Sequence, residues 1–482
     1  MEARDIFIDG AWVSAGGKEC TPVTDSFTEE VFGNYRVASV SDVDLAVAAA
    51  QRAFPAWSAT TLAQRITALQ RIASALEVRT DEIARVISRE VGMPGKLSRR
   101  IQAEAPIAAW RTYCELARDL EFQSWIGHSL VQLVPVGVVA CVTPWNYPLH
   151  QITAKVAPAL LAGCTVVLKP AELAPSSAFI LAQAIEDAGL PPGVFNLVHG
   201  YGAEIGDALV RHPGVDMISF TGSTRVGRAI SSIAGHAIKR VALELGGKSA
   251  GLILPGANLP QAVKATLGSC FLNSGQTCSA ITRLIVPAES HDEVVALARE
   301  FVAAYSMGDP ADSATRLGPL ISRARQQEVL SMIRRAIDEG AEKLTPDVDT
   351  PRNGFFVPPT VIGKVTPEMA ICQEEVFGPV LAVIPYRTLE EGIAIANGTS
   401  YGLAGAVWGP TVETALSVAL RIRAGQLDVQ GAPFNPLAPF GGLKQSGIGR
   451  ENGRYGIEEF LEPVSVQLPP SYFSENSKLQ EQ

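Results

Sequence analysis

Cys278 stands in Phe271-Leu272-Asn273-Ser274-Gly275-Gln276-Thr277-Cys278-Ser279, a small, polar, glycine-containing setting with no metal-ligand spacing around it. A thiol becomes a strong nucleophile only as its thiolate, which needs an electropositive or base-supplied niche open to substrate. Most free cysteines are instead buried small apolar residues, and Cys278 taken alone would be one of them. Two further stretches shift the balance. Leu243-Glu244-Leu245-Gly246-Gly247-Lys248 puts a carboxylate at the end of an apolar strand, where it costs free energy unless used or paired. Val138-Val139-Ala140-Cys141-Val142-Thr143-Pro144-Trp145-Asn146-Tyr147-Pro148 is an apolar strand closed by prolines. It leaves Asn146 just past the strand's C-terminal end, where open α/β sheets place their ligands.

Together these stretches resemble the aldehyde dehydrogenase superfamily, and Glu374-Glu375-Val376-Phe377-Gly378-Pro379 and Pro439-Phe440-Gly441-Gly442 follow in family order. The resemblance covers nearly the whole chain. It implies Cys278 as nucleophile, Glu244 as general base, and Asn146 with the Cys278 N–H as oxyanion donors. The implied reaction is NAD-dependent oxidation of an aldehyde to a carboxylic acid through a thiohemiacetal and a thioester. Without Glu244 to activate water, the thioester would pass to coenzyme A instead; with it, the resemblance is to the non-acylating members.

At 482 residues the chain is too long for one ordinary core, so two or three domains are expected. The formal net charge of −9 disfavours a nucleic-acid or anionic-membrane partner, both of which require clustered Lys and Arg. Seven scattered cysteines without a CxxC pair suggest neither a disulfide framework nor a metal site, and so a reducing, cytoplasmic home. The start, Met1 to Gly10, has acidic residues where a signal peptide has a basic flank, and is expected to form a strand. The apolar run from Ile152 to Leu168 is interrupted by Lys155 and Pro158, which argues against a membrane span.

Apolar residues recur at helical spacing over Val43 to Phe54, Ile66 to Leu76, Asp81 to Glu90 and Ala103 to Leu120. From Val136 the period changes. Short apolar strands (Val136 to Val142, Thr165 to Leu168, Val194 to Val198, Met217 to Phe220, Val241 to Leu245) alternate with helical segments, the pattern of a doubly wound parallel sheet in an α/β fold. A second α/β unit follows, with strands expected at Arg283 to Val286, Val357 to Val361 and Val380 to Tyr386. The expected division is residues 1–118 and 138–246 for an NAD-binding domain and 247–446 for a catalytic domain. Residues 119–137 and 459–470 would form a small β oligomerisation arm, and 471–482 a loose tail. By resemblance, the arm would build a homodimer or homotetramer.

The GxGxxG fingerprint is missing, because Gly200 to Gly206 has one residue too many. Phe220-Thr221-Gly222-Ser223-Thr224-Arg225-Val226-Gly227 is the better phosphate site: a strand end, a glycine, then hydroxyls at a helix N-terminus. A plain Ser/Thr cap fits it equally well. Similarity to the family's Gly-Ser-Thr turn favours the cofactor. Lys169 and Glu172 match the family's adenosine-ribose positions, and an anionic Glu172 would repel a 2′-phosphate, so NAD is expected over NADP. Thr143, Pro144, Trp145, Phe220, Gly222, Ser223, Val226, Leu245 and Gly246 complete the cofactor set that the resemblance implies. Glu375 and Phe377 match the family positions beside the nicotinamide ribose and ring.

Gly247-Lys248-Ser249-Ala250-Gly251 also matches the serine-hydrolase elbow, but an apolar strand follows where the elbow requires a helix, so a cofactor-independent thiol or serine esterase is the lesser alternative. The substrate tunnel is placed by resemblance along Tyr147, His150, Gln151, Ala154, Leu272, Thr277, Ser279, Phe434, Asn435 and Phe440. Ala154 and Leu272 replace bulky aromatics of small-aldehyde members, and no arginine pair is apparent near the mouth. The expected substrate is therefore a bulky aromatic, heteroaromatic or terpenoid aldehyde, with a long or aryl semialdehyde next.

Overall fold

The computed structural model describes residues 5–469 and residue 472. Two large sheets carry the fold, and their strands start where branched apolar runs replace helical periodicity. The first has eight strands in the order Gly447–Ile448, Arg240–Glu244, Met217–Thr221, Val138–Val142, Thr165–Lys169, Phe195–Leu197, Ile6–Ile8, Ala11–Val13. Its five central strands are parallel, and the chain order reverses at Val138–Val142. Ligands of doubly wound sheets bind at such a reversal, outside the carboxyl ends of the strands. The loops leaving Val142 and Thr221 border it.

The sheet is parallel only in this centre. Ile6–Ile8 and Ala11–Val13 form an antiparallel hairpin at one edge, and Gly447–Ile448 pairs antiparallel with Leu243 and Glu244 at the other. A segment beyond residue 446 therefore closes the strand that ends in Glu244. Val138–Val142, Thr165–Lys169 and Met217–Thr221 are buried along their whole length, as helices on both faces require.

The second sheet runs Glu342–Lys343, Thr360–Gly363, Val380–Tyr386, Ile281–Pro287, Ser249–Ile253, Ala404–Trp408, Gln426–Val429, parallel except for the first. The strand expected at Val357 to Val361 begins instead at Thr360, because Pro358 and Pro359 have no N–H for the ladder. Ser249 lies inside a strand and not on an elbow, and the next helix starts only at Leu259. The helix expected from Ala103 is preceded by a π-helical turn, Ser98–Glu104, and runs from Ala105 to Arg118.

A third sheet pairs Ser129–Pro135 with Gln123–Ile126 on one side and Leu461–Gln467 on the other, all antiparallel. Ile126, Val464 and Val466 are exposed on it. Of the tail expected at 471–482, all but Tyr472 lies outside the described residues. No described helix is long and apolar enough to cross a membrane.

Candidate active site

The loop before Ile281–Pro287 is held in an unusual backbone shape. Asn273 and Ser274 have φ of 52° and 57°, and Gly275 has φ of 77°. A Cβ on Gly275 would stand 2.1 Å from the carbonyl carbon of Gly378, so the Glu374 to Pro379 motif packs directly on this loop. Gln276 is fully buried and anchors the turn: its Nε2 donates to Val91 O (3.3 Å) and Asn273 O (3.1 Å), and its Oε1 accepts from Ile321 N (2.9 Å). Thus fixed, the loop leaves Cys278 half-exposed, whereas Cys114, Cys141, Cys164, Cys270 and Cys372 are buried.

Asn146 reaches the same loop from the end of the first sheet. Its Nδ2 donates to Gln276 O at 3.0 Å, and its own backbone carbonyl accepts from Gln102 Nε2 (2.8 Å) and Asn273 Nδ2 (3.0 Å). One Nδ2 hydrogen remains for a ligand.

Glu244 ends the strand in register with Thr221, is 3 % exposed, and neither carboxyl oxygen has a hydrogen-bond partner. Burial pushes its pKa well above the usual carboxylate range; the Glu451 and Glu375 carboxylates add to this, and Lys155 and Arg450 oppose it. The Cys278 thiol is likewise driven up, first by burial, then by Glu244, Glu375 and Glu451. Burial thus biases both groups toward their neutral forms. Lys155, fully buried, sends Nζ to Thr221 Oγ1 (2.6 Å) and pairs with Glu451. Thr221 in turn donates to Gln151 Oε1 (3.1 Å).

Cys278 opens on a cavity of about 640 Å³. Tyr147, His150, Gln151, Leu272, Thr277, Ser279, Phe434 and Phe440 line it. The Tyr147 hydroxyl meets Thr277 Oγ1 at 2.7 Å, and Phe434 stands edge-on to Phe440. Ala154 and Asn435 are not on this wall, contrary to expectation. Ala154 follows His150 and Gln151 on the inward face of the Pro148–Ala162 helix, but its methyl is too short to reach the cavity and is buried in the core. Asn435 turns back on its own loop, where Oδ1 accepts from Leu437 N (3.0 Å). Arg100, Tyr113, Asp428 and Glu451 also line the cavity, and motif reading missed them. For Glu451 a signal existed, since Gly449-Arg450-Glu451-Asn452-Gly453 sets an acid between glycines.

Across the reversal point lie the residues that could hold a dinucleotide. Ser223 caps the Thr224–Ala237 helix, accepting from Val226 N, so the simple capping role is realised, and the same helix start is open to a phosphate. Phe220 is buried at the end of its strand, and a Cβ on Gly222 would strike its ring at 2.4 Å. Leu245 packs so closely on Gly227 that a Cβ there would lie 2.5 Å away. Lys169 is buried at its strand end, and its Nζ donates to Pro170 O (3.1 Å) and Glu172 Oε2 (3.2 Å). Beside Pro144, the Thr143 hydroxyl is buried without a partner. Trp145 stands edge-on to Phe377, whose φ is 55°. Glu375 Oε1 accepts from Gly247 N (3.0 Å), burial lifts this carboxyl to about 7, and a Cβ on Gly246 would collide with it at 2.3 Å. A cleft with orphaned polar atoms, a helix N-terminus and an acid–lysine pair at a sheet's switch point fits a dinucleotide. Among the described residues no group of three His, Cys, Asp or Glu is arranged to hold a metal ion.

The model of the aldehyde dehydrogenase family matches residues 12–466. The chain belongs to the aldehyde dehydrogenase family. This family member is 46% identical to the 3-succinoylsemialdehyde-pyridine dehydrogenase of a Pseudomonas species, over 96% of this chain and 98% of the relative. Among solved structures it is similar to a variant of aldehyde dehydrogenase C from Pseudomonas syringae in complex with NAD+ and octanal. The TM-score is 0.95 and the identity 45%, over 96% of each chain. The NAD+ complex of a Mycobacterium tuberculosis aldehyde dehydrogenase superposes with a TM-score of 0.94 at 40% identity, over 97% of this chain and 98% of that one.

Proposed function

We propose that the enzyme uses NAD to oxidise bulky aromatic or heteroaromatic aldehydes, aryl semialdehydes included, to their acids. The observation that carries this is the cavity itself: about 640 Å³, walled by Tyr147, His150, Leu272, Phe434 and Phe440, with Cys278 on its surface. Such a volume and lining suit an aryl group better than a two- or three-carbon aldehyde. The names of the Pseudomonas relative and of the octanal complex support long or ring-bearing substrates.

Cys278 Sγ, its proton released to water in the open cavity, attacks the aldehyde carbon, and the oxyanion takes the free Nδ2 hydrogen of Asn146 and the Cys278 N–H. Preorganised donors of this kind are worth about 3–4 kcal/mol. NAD, when bound, would supply the hydride acceptor, held at the sheet's switch point by the residues around Ser223, Lys169 and Glu375. Glu244 then takes a proton from water as the water attacks the Cys278 thioester, releasing the acid and restoring the thiol. Glu244 acts here as the carboxylate: its raised pKa makes that form more basic, and neither oxygen has a protein hydrogen-bond partner to compete with the water. Lys155 and Glu451 hold the opposite side of the site as a charge-balanced pair.

We assign the cofactor to residues 1–118 and 138–246 and the chemistry to 247–446. Glu172, half-exposed beside Lys169, favours NAD over NADP by repelling a 2′-phosphate. The three-stranded sheet of Gln123–Ile126, Ser129–Pro135 and Leu461–Gln467, with its exposed apolar residues, is the proposed contact of a homodimer or homotetramer in the cytoplasm. The test is NADH absorbance with NAD and a panel of aldehydes. Aryl and arylalkyl aldehydes should give kcat/KM at least about tenfold above propanal. Propanal equal to or better than every aryl substrate would refute the assignment of substrate class.

A further inference from the structure

The wall of the substrate cavity formed by the second sheet carries a carboxylate that is in no ion pair among the described residues. Gln426 and Asp428 lie two apart on the edge strand Gln426–Val429, so both side chains face the same side, and both line the cavity. Ala404 and Ala406 are their register partners, and the small methyls leave the space in front of them open. Gln426 Nε2 donates to Asp428 Oδ1 at 3.1 Å and so fixes the carboxyl plane. That amide is neutral. Asp428 takes part in no ion pair among the described residues, although it is only half-exposed. Of the cations on or next to the cavity wall, Lys155 is committed to Glu451, and Arg100, exposed on the π-helical turn, forms no ion pair with Asp428. Burial raises the Asp428 carboxyl, and the Gln426 hydrogen bond opposes only part of that. A carboxylate drawn out of water beside one neutral donor is unfavourable until a cation meets it.

Cys278 precedes the Ile281–Pro287 strand, and the order Ile281–Pro287, Ser249–Ile253, Ala404–Trp408, Gln426–Val429 sets Asp428 three strands across the sheet, in register with Leu284. That lateral separation alone is about 14 Å, so a cation that meets Asp428 belongs to the part of the substrate remote from the reacting carbonyl.

We propose that Asp428 is a specificity residue that receives a protonated nitrogen at the end of the substrate remote from the aldehyde. The inference rests on the aryl-aldehyde function proposed above and narrows it to aldehydes with a basic distal nitrogen. Gln426 positions the carboxylate, and Cys278, Asn146 and Glu244 act on the carbonyl without change.

The experiment compares a benzaldehyde bearing a para dimethylaminoethyl group with its carbon isostere bearing a para isopentyl group, in the full-length enzyme with saturating NAD. The wild type should favour the amine by about tenfold in kcat/KM, mainly through KM. Asp428→Asn should bring the two within about twofold. Asp428→Leu should favour the isopentyl compound. Oxidation of the isostere confirms that each variant is folded. A wild type that oxidises the isopentyl compound without preferring the amine overturns the inference and leaves the aryl-aldehyde assignment standing, as does a preference that survives both substitutions. Oxidation of propanal with neither aryl compound turned over overturns that assignment, and the inference with it.

Discussion

Gly247 lies so close to Cys278 that a Cβ on the glycine would stand 2.5 Å from the cysteine carbonyl oxygen. The segment carrying the base and the segment carrying the nucleophile thus meet backbone to backbone. That contact fixes the spacing of Glu244 and Cys278 more firmly than any side-chain bond between them. Gly247→Ala must push the Cys278 backbone aside, because a carbonyl cannot yield as a flexible side chain does. A displacement of about 1 Å at a nucleophile costs up to about a hundredfold in kcat, and steady-state kinetics of this variant should show a loss of at least about tenfold with the thermal transition retained.

Cys278→Ala should abolish NADH production while NAD still quenches intrinsic fluorescence, because no other thiol faces the cavity. Cys270→Ala is the control. Cys270 is buried on the Leu259–Phe271 helix with its thiol pushed up to about 12, so removing it should leave kcat within about threefold of wild type. Substantial turnover by Cys278→Ala would remove the thiol from the reaction.

Glu172→Ser should narrow the preference for NAD over NADP by about tenfold or more, through a lower KM for NADP. Lys169 would then lose its carboxylate partner and stand free for the 2′-phosphate. A wild type that already prefers NADP would contradict the role given to Glu172.

Much of this site is legible in the sequence because its parts are local. Each of the stretches around Cys278, Glu244 and Asn146 is a strand end with its own turn chemistry, and glycines mark where backbones approach. What could not be read comes from distant segments. Glu451 reaches Lys155 across nearly three hundred residues, and Asp428 faces the cavity only because its strand is the edge of a sheet whose order no periodicity reveals. Ala154 and Asn435 fail for a different reason: position along an element says which way a residue points, not whether its side chain reaches or folds back. Pro358 and Pro359, which have no N–H for a ladder, set the start of the next strand at Thr360, a signal that is local and present in the sequence.

Stability offers an independent check on Glu244. Its folded-state pKa is raised, so the folded protein holds a proton the unfolded chain has released between the ordinary carboxylate range and the raised value. The wild type therefore loses stability as pH rises through that window. Glu244→Gln has no such proton, so its Tm relative to wild type should climb as pH rises above the ordinary carboxylate range toward the raised value. A difference flat with pH would mean that Glu244 is not the buried, unpaired acid described.

The most direct test of the account is rapid-mixing absorbance of Glu244→Gln with excess NAD and an aryl aldehyde. If Cys278 forms a thioester that only Glu244-activated water can release, one equivalent of NADH per site should appear promptly and then stall. A steady rate like wild type, with no burst, would contradict the two-stage chemistry assigned to Cys278 and Glu244.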